Sequence, residues 1–172
     1  MNAAHIHLML NHVPLFAATA VTVLFAVALV LRHQGVARAG LVMAILAALV
    51  AVVVYLTGEP AEELVENLPG ISEATMETHE EAALVATIIL SVFALVAVYG
   101  LFALRHGVSM WFTKILLVLS LVPLATIAYT AYLGGQIRHS EIRPESVGPP
   151  GAFEAEEGLE ATEEAEVGEN GR

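Results

Sequence analysis

Seven histidines and eighteen acidic residues, with no cysteine, set the chemistry open to this 172-residue chain. Every acidic residue is a glutamate. Neutral imidazole ligates zinc, copper, iron and haem, and a carboxylate can complete such a set or orient an imidazole through its second nitrogen. The missing thiols exclude disulfides, thiolate metal centres, iron–sulfur clusters and haem attached through C-x-x-C-H. One stretch joins both residue types to an apolar run. In "THEEAALVATII", His79, Glu80 and Glu81 lead directly into residues apolar enough to continue as a membrane helix.

The elements that must position these groups are membrane spans. The chain is 57% hydrophobic, with a mean hydropathy of +0.73. Its apolar residues fall in four uncharged blocks, 13–31, 41–57, 82–104 and 115–134. Each block has the length that crosses a hydrocarbon core, and apolar residues lie all round it, as they do where lipid is the solvent. The expected fold is all-α, an integral membrane antiparallel four-helix bundle. The first block is not a signal peptide, because no basic residue precedes it and Arg32-His33 follows it.

Loop charge orients the bundle. Arg32 and Arg38 lie in the first connection, and Arg105 and Lys114 in the third. The N-terminus and the loop 58–81 carry neither Lys nor Arg. The positive-inside rule then puts both termini on the extracytoplasmic side of the cell (inner) membrane. All the glutamates share that side, and a formal charge of −11 argues against nucleic acid as a partner. Residues 1–142 are read as the transmembrane domain, with an amphipathic loop helix over about 60–68 in which Leu64 and Leu68 share a face. Residues 143–172 are rich in Glu, Gly, Pro and Ala and read as a disordered acidic tail.

The chain also hints at two repeated helical hairpins. "LRHQG" and "YLTGE" in the first half match "LRHG" and "YLGGQ" in the second, and each half opens on a histidine, His12 or His79. Hairpins of equal orientation are related by an axis along the membrane normal.

This topology sorts the histidines. His33 and His106 fall at the cytoplasmic ends and read as interfacial anchors. His5, His7, His12, His79 and His139 fall at the outer end. His12, His79 and His139 come from three separate segments at one depth and are the primary candidates for a cofactor or metal site. His5, His7, Glu77 and Glu80 are secondary candidates. His79 shares a stripe with Ala82, Ala83 and Ala86, and small residues mark helix contact in membranes. Tyr129, Tyr132, Gln136 and His139 form a polar stripe expected to face the bundle. His12 shares a face with Leu15, Phe16 and Thr19, which does not fix its direction. The competing reading is ordinary, since His and Glu at helix ends are common interfacial residues.

"NHVPLFAA", "HEEAALVA" and "YLGGQIRHSEI" together resemble a bacterial family of four-span membrane proteins that forms a domain of unknown function. That family shows a Val-His-Phe-Pro-like opening, a histidine entering the third span and a Gly-Gly…His ending. His12, Pro14, His79, Gly134, Gly135 and His139 match, while Asn11 and Val13 depart from the opening. The resemblance covers about residues 1–142. It implies the four-span fold and the histidine set, and it implies no activity.

The function expected first is a haem b or transition-metal site (zinc, copper or iron) at the outer face, serving electron transfer or metal binding. Its partners would be the lipid bilayer and a membrane or extracytoplasmic redox protein. A scaffold subunit without a cofactor is the second reading. A small transporter ranks last, because no charged residue lies within a span. The sequence holds no hydrolase motif and no nucleophile–base pair.

Overall fold

The computed structural model describes residues 2–66, 71–103, 107–139 and 142. The chain divides into two units, Met1–Arg138 and His139–Arg172. The expected acidic tail and the loop residues 67–70 lie outside the described residues, as does His106.

The first unit is helical, with no strand among its described residues. Its elements are α1 (Ala3–Leu10), α2 (Val13–Leu31), α3 (Gln34–Leu56), α4 (Glu59–Glu62), α5 (Glu73–Ala103) and α6 (Met110–Arg138). Four stretches are long and apolar enough to cross a membrane, Ala3–Leu31, Gln34–Leu56, Glu73–Phe102 and Met110–Arg138, which makes this a multi-pass membrane protein. α2 lies beside α3 and α6, and α5 lies beside the same two. The four long helices therefore form an antiparallel bundle with α3 and α6 on one diagonal and α2 and α5 on the other. The expected all-α four-helix bundle is the observed fold.

Helix limits follow from local chemistry. Asn2 caps α1, its side chain accepting from the His5 N–H at 3.0 Å. Pro14 sits in the first turn of α2 and cannot donate to the Leu10 carbonyl, so α1 and α2 break apart at Asn11-His12. The turn into α3 uses Arg32 in the left-handed region, φ 51°, with the His33 N–H returning to the Ala28 carbonyl at 3.0 Å. His33 then caps α3, its Nδ1 accepting from the Val36 N–H at 3.2 Å. α5 has 31 residues. At 1.5 Å per residue it is about 46 Å long, against roughly 30 Å of hydrocarbon, so it projects beyond the apolar layer. The expected loop helix is shorter than the sequence suggests. It makes one turn, Glu59–Glu62, followed by turns in which the Val65 and Glu66 N–H groups both reach the Glu62 carbonyl.

The core has two parts. One gathers Val21, Phe25, Leu41, Phe93, Val108 and Leu116 with small alanines. The other, nearer the end that carries α1 and α4, is built mainly of alanine with Leu90 and Ile127. Alanine lets the helices approach closely there, as association in lipid requires. Ser120 is buried, and the Thr22 hydroxyl donates to it at 3.1 Å, joining α2 to α6.

α4 packs beside α1 and brings glutamates together. Burial pushes the Glu62 carboxyl up from its ordinary value, and Glu80, Glu66, Glu59 and Glu73 add repulsion in that order. A carboxyl raised on folding favours the folded state below the ordinary carboxylate range and loses that contribution as pH rises through its raised value. Glu62→Gln stays neutral throughout. It should melt about 1 °C above the wild type at pH 7, a modest gain because the site is largely solvated. The difference should disappear at pH 4. A variant less stable than wild type at pH 7 would contradict the crowding of charge around Glu62.

Candidate metal centre

His79 is half-buried in the seam between α5 and α6. Its Nδ1 lies 3.0 Å from the Thr130 carbonyl oxygen. A carbonyl has no proton to give, so Nδ1 carries the hydrogen and donates it. In the neutral ring the Nε2 lone pair is then left for a ligand. Gly134 makes this position possible. A Cβ there would lie 2.9 Å from His79 Cε1 and 3.3 Å from Nδ1. The alanine stripe accompanies the histidine inward: Ala86 is buried, and Ala82 and Ala83 are half-buried.

His7 repeats the arrangement on α1. Its Nδ1 donates to the Val54 carbonyl at 3.0 Å. Val54 belongs to the last turn of α3, and its carbonyl also accepts from the Thr57 N–H at 3.2 Å and the Thr57 hydroxyl at 3.0 Å. A Cβ on Gly58 would lie 3.7 Å from His7 Cε1. Each imidazole thus leans on the carbonyl four residues before a glycine, once on α3 and once on α6.

The remaining candidates lie differently. His12 is exposed, on a face with exposed Phe16 and Thr19, and its Nδ1 pairs with the Asn11 side-chain oxygen. His5 is exposed, with Nδ1 2.6 Å from the Asn2 Oδ1. Glu77 and Glu80 are exposed, and the acceptor at His79 Nδ1 is the Thr130 carbonyl rather than either carboxylate. His139 follows α6 in the second unit and is exposed. Among the described residues no three His or Glu side chains are grouped to hold a metal ion.

The tyrosine stripe is a correction. Tyr129 and Tyr132 are 56% and 52% exposed and point away from the bundle, while Gln136 is buried. Through the span the inward face of α6 runs through Thr113, Leu116, Ser120, Pro123 and Ile127, opposite the two tyrosines on the helical wheel, and only at the end of the helix does burial pass to the tyrosines' side, at Leu133 and Gln136. A phenol is equally at home at a membrane interface, so polarity alone did not turn the stripe inward.

Sequence reasoning gave His7 a minor place and gave no place to Thr130, Val54 or Met76. Met76 is 4% exposed and one turn before His79 on the inward face of α5. The available signal was the Gly134-Gly135 pair near the end of the fourth span, since Gly134 is where the His79 ring needs room. Compared with protein-family models, curated proteins and solved structures, the chain matches none.

Proposed function

We propose that this small integral membrane protein binds a transition metal or haem b through imidazole at the extracytoplasmic end of its bundle, with His79 as the principal ligand. The observation that carries this reading is the His79–Thr130 hydrogen bond over Gly134. It fixes the tautomer and the ring plane, which is how proteins hold a ligating histidine. The sidedness rests on loop charge. Arg32, Arg38, Arg105 and Lys114 mark the cytoplasmic side, and Glu59, Glu62, Glu66, Glu73 and Glu80 gather at the opposite end of the bundle. Carboxylates around Glu62 raise the local concentration of cations there.

The test is purification in mild detergent, an absorption spectrum and elemental analysis. Near-stoichiometric metal or a Soret band is expected in the wild type. His79→Ala should lose most of it with helicity intact, and His33→Ala should keep it, since His33 caps α3 at the far end. Neither Soret band nor metal under any expression condition would overturn the proposal in favour of the scaffold reading.

A further inference from the structure

We infer that exposed aromatic side chains at the ends of α5 and α6 form a girdle that seats the bundle in the two headgroup layers of a bilayer whose hydrocarbon is about 30 Å thick. This surface is separate from His79 and holds with or without a ligand there.

α6 shows the pattern on one stripe. Trp111, Tyr129 and Tyr132 are exposed and lie on the side of the helix opposite Leu116, Ser120 and Pro123. Between them the same stripe carries Val118, Val122 and Ala125, all exposed and all apolar. Tyr129 and Tyr132 follow Trp111 by 18 and 21 residues. At 1.5 Å per residue these spacings are about 27 and 32 Å, which bracket the hydrocarbon thickness. A tilt of about 20°, usual for such helices, shortens them by only about 2 Å. Indole and phenol join an apolar ring to a polar edge, so they settle where hydrocarbon gives way to headgroups. Lys114 lies nearly one turn deeper than Trp111, and its four-carbon stem lets the ammonium reach back to the same level.

α5 carries the same two levels in the opposite direction. A Cβ on Gly100 would lie 3.2 Å from Phe112 Cε1, so Gly100 is level with the start of α6. Tyr99 and Phe102, both exposed, therefore stand near the plane of Trp111. At the other end His79 meets Thr130, which lies between the two tyrosines. Exposed Glu81 follows His79 by two residues, and Phe102 follows Glu81 by 21. The stripe between them exposes Leu84, Val85, Ile88, Val92 and Leu95. Two helices thus mark the same pair of planes. Contact with a second copy of the chain sets no such spacing, whereas a bilayer does. The girdle also fixes the depth of the His79 ring, which lies at headgroup level and not in the hydrocarbon.

Trp111 is the one tryptophan of the chain, so its emission reports depth without any substitution. The test reconstitutes the full chain in phosphatidylcholine vesicles whose acyl chains carry bromine either near the headgroup or near the terminal methyl. Headgroup-end bromine should quench Trp111 at least about twofold more strongly than methyl-end bromine. In a Trp111→Phe background, Tyr132→Trp should show the same shallow profile. Val122→Trp in that background, midway along the stripe, should reverse it by about twofold. Equal or stronger quenching of wild-type Trp111 by methyl-end bromine overturns the inference and needs no variant that might misfold. So does a Tyr132→Trp profile like that of Val122→Trp. Weak quenching of Trp111 by both lipids also overturns it, in favour of a face covered by a second copy of the chain.

Discussion

Valine at position 134 should detach His79 from its carbonyl. A Cβ there meets the imidazole at 2.9 Å from Cε1, closer than nonbonded carbons approach. The ring has little freedom to retreat, since its Nδ1 is held 3.0 Å from the Thr130 oxygen and α5 packs along α6 behind it. Two effects of a substitution compete. Replacing glycine within a helix gains up to about 1 kcal/mol of propensity, less for a β-branched residue. Overpacking a filled seam costs about 1–3 kcal/mol. With valine the clash should win, giving a net loss of roughly 1–2 kcal/mol and at least a tenfold loss of metal affinity. The control is the double variant. In a His79→Ala background the obstruction is gone, and Gly134→Val should cost almost nothing. Equal destabilisation in both backgrounds would show that Gly134 serves helix packing in general and not the histidine.

The spans were legible because lipid imposes a simple demand, a run of apolar residues about as long as the bilayer is thick. α2 begins and ends as its apolar block does, at Val13 and Leu31. α5 and α6 reach further than their blocks, since Glu73 through Glu81 and Gln136 through Arg138 continue helices beyond the hydrocarbon where polarity is tolerated. α1 was harder to read. It has eight residues, and only the capping Asn2 and the interruption at Pro14 mark its limits. At the site, the inward turn of His79 could be read from Ala82, Ala83 and Ala86, because small residues on one helical stripe mean contact. The role of His7 could not. Its partner is a backbone carbonyl 47 residues away, and a carbonyl has no letter in the sequence. The tyrosines on α6 misled for the opposite reason, since phenols satisfy a lipid interface as well as a protein interior.

Phe25→Ala should be the most damaging single change to the bundle. Phe25 is completely buried, lies over Gly40 with ring atoms near 3 Å from where a Cβ would stand, and meets Phe93 edge to face at 6.4 Å. It therefore ties α2 to α3 and, across the diagonal, to α5. In water-soluble cores removal of a buried phenylalanine costs about 3–5 kcal/mol, part transfer and part cavity. Here lipid solvates the separated helices, so the transfer part shrinks while the lost contacts and the cavity remain. A loss of roughly 2–3 kcal/mol is expected. The buried Thr22–Ser120 hydrogen bond provides a comparison, because such bonds between membrane helices average only about 0.6 kcal/mol. Reversible unfolding in mixed micelles should thus rank Phe25→Ala well above Thr22→Ala. The Phe25–Phe93 cycle should show a coupling of about 0.5–1.5 kcal/mol. The two phenylalanines belong to the core cluster that excludes Ala86 and Ile127, so any metal or haem occupancy measured at His79 should survive the substitution as long as the bundle stays folded. Equal costs for the phenylalanine and threonine variants would mean that polar bonding, rather than interlocked packing, holds the four helices together.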